Sequence, residues 1–599
     1  LAVWNLRESQ TYSSGVQPED LAHSLDLPVW VAEILHHRMK YWFEPTLEAA
    51  KKFLEPSLKH LPDPFLLPDM DQAADRLAES VVEGQKIAIY GDYDVDGTVG
   101  TAVLRRFLRM LGVEPIVYQP DRHKEGYGVN QAAIEKLAAE GVNLLLTVDC
   151  GITSVKEVDR ANELGMDVII CDHHEPKEVL PRAYSVLDHK RLDNESSIRS
   201  LSGAGVGFYL CVATRSVLRD IGHFEQADGT VKEPELKELL DLVALATVAD
   251  MVPLVDENRM LLKTGLDKLR RSPNPGLREL LRVAGVKPEE VTPYHLGFLL
   301  GPRINASGRL GSANGALELL STDSDEVAKN LAEQLDQVNQ ERMRLQSEVA
   351  EAALLQAESL VTENPSLPAL VLFAEDWHEG VIGIVASRVV EKFQRPVAVI
   401  TFHTHTGAGK GSVRGMGALD MTAALEACAE LLLGFGGHKA AAGLSIAKEN
   451  ILAFRAAFAE AIGQQALQIT EGKSALLPKD VLIDAVISSE DLKNGAVELL
   501  ERLAPFGIGN PEPSFLLSGV KFTGMRVLKE RHLKIQFALP QNKSVEGFWA
   551  NGVDRLAKEP ATDVNLDLVC LPQINTFRNL NRLELKVKDL RVSSDEASR

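Results

Sequence analysis

From Lys86 onward the chain repeats one pattern: a short, almost uninterrupted apolar run, a polar turn, then an amphipathic segment with apolar residues every three or four positions. The apolar runs predict strands at Lys86–Tyr90, Pro115–Tyr118, Asn143–Val148 and Asp167–Cys171. The amphipathic segments predict helices near Val99–Leu111, Gln131–Glu140 and Val155–Leu164. Strands that are apolar on both faces and separated by helices belong to a parallel sheet covered on both sides, so this part of the chain is α/β.

Helical patterns follow at Glu235–Val248 and Asn258–Leu269, and then in a polar stretch from Asp325 to about Val361. There Val327, Leu331, Leu335, Val338, Leu345 and Val349 fall at helical or heptad-related intervals. One continuous helix of that length extends ~55 Å at 1.5 Å per residue, long enough to connect two lobes across a cleft. Asn364-Pro365-Ser366-Leu367-Pro368 ends it. A second α/β unit starts with the strand Ala369–Phe373, continues through the helix Ile382–Lys392 and the strand Pro396–Thr401, and runs to about Gln465. Beyond the polar residues Thr470–Ser474, short alternating segments at Leu533–Leu539, Val564–Leu571 and Arg582–Val587 predict a small β-barrel domain.

Composition narrows the class. The 599 residues include 64 Lys+Arg and 85 Asp+Glu, a net charge of −21, and are 45% hydrophobic and 25% charged. Such a chain folds into about three or four domains and is neither collagenous nor disordered. No run approaches the ~20 apolar residues of a membrane-spanning helix, and residues 1–12 lack a basic segment followed by an apolar one. No membrane association and no signal peptide are expected, and the predicted location is the cytoplasm. The chain begins at Leu1 rather than Met, which leaves targeting open. Five cysteines without a C-x-x-C pair point to a reducing compartment. The acidic balance opposes a general affinity for nucleic acid and leaves room for a local basic groove.

The strongest chemical signal is Gly91-Asp92-Tyr93-Asp94-Val95-Asp96-Gly97, directly after a predicted strand. Carboxylates at alternate positions repel one another unless a cation sits among them, and the C-terminal ends of parallel strands are where α/β sheets bind ligands. A calcium loop is a poor match, because no Glu stands at the twelfth position and the flanks are strand and helix. Two further strands end at Asp149 and at Asp172-His173-His174, so Asp94, Asp96, Asp149 and His173 are expected to converge. Asp250, at the end of the apolar helix in Ala246–Pro253, supplies a fourth carboxylate. This is enough for two metal ions sharing one carboxylate. Mixed carboxylate and imidazole ligation favours Mn²⁺, with Mg²⁺ as the alternative.

Together with Glu125-Gly126-Tyr127-Gly128, Ser202-Gly203-Ala204-Gly205-Val206 and Gly301-Pro302-Arg303-Ile304-Asn305-Ala306-Ser307-Gly308-Arg309, these residues resemble the DHH phosphoesterase superfamily. Within it the chain resembles the RecJ type of single-strand-specific exonuclease over roughly residues 40 to 590. The resemblance implies an N-terminal helical segment (1–75), a parallel-sheet DHH catalytic domain (76–322) and a connecting helix (323–364). A DHH-associated α/β substrate-binding domain (365–466) and an OB-like nucleic-acid-binding barrel (467–599) complete it. It implies Asp94, Asp96, Asp149, His173 and Asp250 as metal ligands, with Asp149 bridging, Asp92 and His174 in catalytic support, and His174 near the substrate phosphate. It also implies substrate contacts from Ser412, Arg414, Gly437 and His438.

Arg303 and Arg309, with Asn305 between them, carry phosphate-binding geometry on what Gly301, Pro302 and Gly308 predict to be a fixed loop, and Arg122 is a further candidate. Leu503–Pro513 resembles the segment leading into the barrel, whose Phe522, Phe537, Phe548, Trp549 and Phe577 are read mostly as core. Two places depart from the family: Val186-Leu187-Asp188-His189-Lys190 stands where an Asn-Pro pair is expected, and Ser202 replaces a Cys. The implied activity is 5′ to 3′ hydrolysis of single-stranded DNA to mononucleotides by two divalent ions, in repair and recombination. Single-stranded DNA is the implied partner, alongside a single-strand-binding protein and a helicase, with the chain a monomer. One alternative is a small-substrate DHH phosphodiesterase acting on short oligonucleotides or cyclic dinucleotides, against which the C-terminal barrel argues. The other is a non-catalytic single-stranded-DNA-binding scaffold, against which the complete ligand set argues.

Overall fold

Every residue of the strands Ile87–Gly91 (β1) and Leu144–Val148 is buried in the computed structural model. It describes residues 3–7, 16–42, 45–121, 125–126, 128–225, 232–271, 273–310, 314–402, 407–471, 480–492, 494–539, 543–553, 555–556, 560–561, 564–575 and 582–593. These fall into two compact units. The larger contains residues 4–304, 313–332 and 481–599, and the smaller contains 1–3, 305–312 and 333–480.

In the larger unit β1, Ile116–Tyr118 (β2), Leu144–Val148 (β3), Asp167–Cys171 (β4) and Ser185–Leu187 (β5) form an all-parallel sheet in the order β2-β1-β3-β4-β5. The sequence pattern missed β5, whose three residues are too few to show a period. Register aligns Gly91, Val148, Cys171 and Leu187 in one row across four strands. The next residue in each case is an aspartate: Asp92, Asp149, Asp172 and Asp188.

The helix after β1, Val95–Met110 (α1), starts a turn earlier than the apolar pattern predicts, because Asp94 caps it by accepting the Gly97 N–H at 3.1 Å. Helices Gln131–Ala139 (α2) and Val155–Glu163 (α3) match their predicted positions. Helix Gly203–Asp220 (α4) arises where only a glycine-containing motif was read, and Ser202 caps it through the Gly205 N–H. Leu240–Ala249 (α5) is buried over its first eight residues, and Asp256–Arg271 (α6) packs along it.

Residues 301–308 correct the prediction of a fixed loop. They belong to the helix Gly301–Leu310 (α7), which continues from a π-helical turn at Leu296–Leu300. Pro302 lacks the N–H that an α-helical ladder needs and sits at the change from π to α spacing, where the ladder is already interrupted. Helix Asp325–Glu363 (α8) is continuous over 39 residues, as its spacing predicts.

The smaller unit holds a mixed sheet. Leu370–Glu375 (β6) and Val397–Phe402 (β7) run parallel around the helix Glu379–Phe393 (α9). Ala408–Arg414 (β8), Leu432–His438 (β9) and Ala441–Ala447 (β10) add antiparallel strands, giving the order β9-β10-β8-β7-β6. In the larger unit Phe515–Leu528 (β11), His532–Leu539 (β12), Lys543–Trp549 (β13), Asn565–Asn575 (β14) and Arg582–Val592 (β15) close into a five-strand barrel, because β11 pairs with both β12 and β14. Phe522, Phe537 and Trp549 are in its core and Phe548 is half-buried. Phe577 lies outside the described residues. No helix among the described residues is long and apolar enough to cross a membrane.

Candidate metal centre

The aligned strand ends set Asp92, Asp149 and Asp172 side by side. α1 contributes Asp94 as its cap and Asp96 in its first turn, and α5 contributes Asp250 as its C-cap. Asp149 has φ 60°, a left-handed conformation that Asp tolerates better than most residues. α4 approaches it so closely that a methyl group on Gly203 would lie 2.8 Å from the Asp149 Cβ. Gly97 meets the same constraint, since a Cβ there would fall 2.5 Å from the Asp92 carbonyl oxygen. Glycine at both positions lets the carboxylate-bearing segments close on one another.

His173 Nε2 lies 3.1 Å from Asp149 Oδ1, 3.5 Å from Asp250 Oδ2 and 3.7 Å from Asp96 Oδ2. Ligand-type atoms lie within 4.8 Å of one another in three overlapping groups: Asp92, Asp94 and Asp149; Asp96, His173 and Asp250; and Asp149, His173 and His174. Sequence reasoning anticipates this gathering of Asp92, Asp94, Asp96, Asp149, His173, His174 and Asp250. It missed the parts that hold them. Asp96 accepts the Gly203 and Ala204 N–H groups at 2.6 and 3.1 Å, so the α4 N-terminus orients it. Asp172 Oδ1 accepts the His173 N–H at 2.7 Å and lies 2.8 Å from His174 Nδ1, while Oδ2 accepts the Ile152 N–H. Asp188 is fully buried and accepts the Lys190 N–H. The signals were present, in the triplet's own aspartate and in the small residues 203–205, but neither carries a distance.

Burial, and then Asp94, push Asp92 and Asp96 up to about 7. Burial, followed by Asp96 and Asp94, takes Asp250 up to about 9, and burial with four neighbouring carboxylates raises Asp149 strongly. Burial, and then His174, lowers His173 to about 3, so its imidazole is neutral and able to ligate. Burial is the largest influence on Asp172 and opposes its ionisation, but the His174 hydrogen bond and charge, the Ile152 N–H and His173 together outweigh it and hold the carboxyl below its usual range. Burial is likewise the largest influence on His174 and opposes its protonation, but the hydrogen bond to Asp172, the Asp172 charge and Asp96 together outweigh it and raise His174. The site concentrates more negative charge than its own donors neutralise. Asp92 Oδ1 and Asp250 Oδ2 are buried without a hydrogen-bond partner. Carboxylate oxygens and a neutral imidazole around such orphaned atoms fit divalent cations of the Mn²⁺ or Mg²⁺ type.

In the larger unit, Gly301 packs beside Ala249 and Val95, and Arg303 Nη1 donates to the Leu299 carbonyl of the preceding π turn. Asn305 and Arg309 fall in the smaller unit. There Arg309 Nη1 donates to the Gly380 carbonyl at 3.0 Å, in the first turn of α9. Arg414 Nη1 donates to Ser412 Oγ at 2.8 Å, and both side chains reach within about a methyl group of Gly383 in that helix. Arg414, Ala441 and His438 form one row across β8, β10 and β9, with Gly437 beside it. Arg309, Ser412 and Arg414 therefore gather at the start of α9, with Gly437 and His438 two strands away. Arg122 lies outside the described residues.

Three family descriptions match in succession: the DHH family N-terminal domain over residues 86–247, the DHHA1 domain over 366–464 and the RecJ OB domain over 483–589. The single-stranded-DNA-specific exonuclease RecJ of Dickeya dadantii is 36% identical over 545 residues, covering 90% of this chain and 93% of that protein. The crystal structure of RecJ from Thermus thermophilus in complex with Mn²⁺ is similar with a TM-score of 0.79 at 30% identity, covering 98% of this chain and 79% of that one. The Mg²⁺ complex from the same organism gives a TM-score of 0.73 at 29% identity, covering 98% and 78%. The chain belongs to the RecJ family of single-stranded-DNA-specific exonucleases.

Proposed function

We propose that this chain is a metal-dependent exonuclease that digests single-stranded DNA from the 5′ end and releases mononucleotides. The observation that carries the proposal is the meeting of Asp94, Asp96, Asp149, His173 and Asp250 from separate elements at the aligned ends of a parallel sheet. Asp92, Asp94 and Asp149 would hold one divalent ion. Asp96, His173 and Asp250 would hold a second, with Asp149 shared. Such a pair lowers the pKa of a water and stabilises the attacking and departing oxygens of a phosphodiester.

The protein's own contribution is orientation. Asp172 accepts from His174 Nδ1 and helps to raise its pKa, which favours the imidazolium, whose Nε2–H can donate to a phosphate oxygen. On the smaller unit, Arg309, Ser412 and Arg414 near the start of α9 supply donors for a terminal phosphate.

On the barrel, register places Arg526, Lys534, Phe548 and Lys586 in one row across β11, β12, β13 and β15, with His532 tilted against Phe548 at 5.6 Å. Cations interleaved with an aromatic face suit a flexible polynucleotide better than a dinucleotide. A cytoplasmic role in repair and recombination, as a monomer working with a single-strand-binding protein and a helicase, rests on family membership.

The test is digestion of end-labelled single-stranded and blunt duplex DNA in Mn²⁺, Mg²⁺ or chelator. Mononucleotides released from the 5′ end of the single strand alone, and only with metal, are expected. Equal degradation of the duplex refutes the proposal.

A further inference from the structure

Three consecutive polar residues in the first turn of α6, Glu257, Asn258 and Arg259, are essentially inaccessible to solvent, at 1%, 0% and 1% exposure. Each directs polar atoms at backbone outside its own helix, while Glu257 Oε2 and Asn258 Oδ1 are buried without a hydrogen-bond partner. Glu257 Oε1 accepts the Arg199 and Ser200 N–H groups at 3.0 and 3.1 Å and the Ser200 hydroxyl at 3.3 Å. Asn258 Nδ2 donates both to the Ser200 carbonyl and, at 2.9 Å, to the Pro253 carbonyl.

Arg259 is held by carbonyls rather than by a carboxylate. Its guanidinium donates to the carbonyls of Phe53 at 2.7 Å, Ala504 at 2.7 Å, Arg502 at 3.2 Å and Pro505 at 3.4 Å, and it lies 3.9 Å over the Phe53 ring. Burying a guanidinium is costly unless its donors are satisfied, so this arrangement is a specific one.

The segments so tied lead directly into the metal centre. Ser200 stands two residues before the Ser202 cap of α4, whose next two amides hold Asp96. Pro253 stands three residues after Asp250, in a loop that turns through Met251 at φ 61°, and Leu254 N–H bonds the Ile508 carbonyl at 2.7 Å. Asn510 in turn donates to the Leu503 and Pro505 carbonyls, closing residues 503–510 on themselves.

We infer that Glu257, Asn258 and Arg259 are positioning residues that fix the Asp250 loop and the α4 N-terminus relative to each other, and that they link both to the segment entering the barrel. Asn258 bridges the two loops through a single amide nitrogen, so its loss lets Asp250 and Asp96 drift apart. A side chain outside the ligand set thereby governs metal affinity. This inference rests on the metal reading above.

The experiment is calorimetric titration of Mn²⁺ into the whole chain and into Asn258→Ala and Arg259→Lys, each checked for fold by circular dichroism. The lysine keeps the charge but loses the planar fork. Hydrogen exchange of the unaltered protein is followed with and without Mn²⁺. The parent is expected to bind two ions and Asn258→Ala to lose at least about tenfold in affinity for one, the lower end of what outer-shell partners contribute. Mn²⁺ is expected to slow exchange at 199–204, 250–255 and 502–510 together. Unchanged Mn²⁺ affinity in a folded variant overturns the inference. If a variant does not fold, exchange in the parent decides, and slowing confined to the ligand residues overturns it. A parent that binds no Mn²⁺ sinks the metal reading instead.

Discussion

Asp172 Oδ1 lies 2.8 Å from His174 Nδ1 and also accepts the backbone N–H groups of His173 and His174, so one buried oxygen fixes both imidazole-bearing residues. Asp172→Asn keeps the shape and removes the charge. Orienting groups of this kind typically contribute roughly 10- to 100-fold to activity. Since Asp172 raises the His174 pKa, its loss lowers it, and the protonated imidazole is lost at lower pH. The expected outcome is a rate lower by roughly 10- to 100-fold, the size of the orienting effect just cited, with the alkaline limb of the pH–rate profile moved toward acid. An unmoved limb counts against the role assigned to His174.

Asp149 separates charge from backbone. Its φ of 60° is accessible to Asn but strained for Ala by about 1–2 kcal/mol. In metal-free protein its charge faces Asp94, Asp96, Asp250 and Asp92. Asp149→Asn is therefore expected to melt at a higher temperature than the parent in chelator, and Asp149→Ala below Asp149→Asn. Both should lose at least about a hundredfold in nuclease rate, since the shared ligand is gone. Differential scanning fluorimetry and a single-strand digestion assay check the two halves separately.

The same carboxylates predict a pH dependence. Asp92 and Asp96 at about 7 and Asp250 at about 9 titrate above the unfolded aspartate value of about 3.9, so the unfolded state releases these protons first. Their contribution to stability is complete below about pH 4, by the same reference value, and is lost as pH rises through 7 and then 9. Melting temperatures in chelator should fall across that window, and Mn²⁺ should restore more stability at about pH 8 than at about pH 6, on either side of the first of those titrations. A constant Mn²⁺ increment across the whole window would mean the cluster is not the binding site.

Much of this was legible in the sequence where a local rule has a local cause. Apolar runs mark four of the five strands of the first sheet, and an aspartate after a strand end marks a carboxylate delivered to the site, as ligand or as support, whatever the distant neighbours are. The helical turn at 301–310 was not legible, because Gly301, Pro302 and Gly308 carry turn chemistry that the π turn at Leu296–Leu300 overrides. The positioning roles of Asp172, Glu257 and Asn258 were hidden for a different reason. Each depends on a backbone group brought close only by the fold: Ile152 for Asp172, Arg199 and Ser200 for Glu257, and Ser200 for Asn258.

Arg414 gives the sharpest separation of binding from chemistry. It sits with Ser412 against Gly383, the fifth residue of α9, on the smaller unit, whereas Asp92, Asp94, Asp96, Asp149, His173 and Asp250 all lie in the larger one. A charge-assisted hydrogen bond to phosphate contributes about 1.5–3 kcal/mol, or roughly 10- to 150-fold. Arg414→Ala is expected to raise KM for a 5′-phosphorylated single strand by that factor, with kcat changed far less and calorimetric Mn²⁺ binding unchanged. Lysine at the position should recover only part of the loss, because it lacks the planar fork. The decisive comparison is a strand ending in a 5′-hydroxyl, on which parent and variant should perform alike. An equal loss on both strands would assign Arg414 to the fold of the β8–β10 sheet rather than to the end of the substrate.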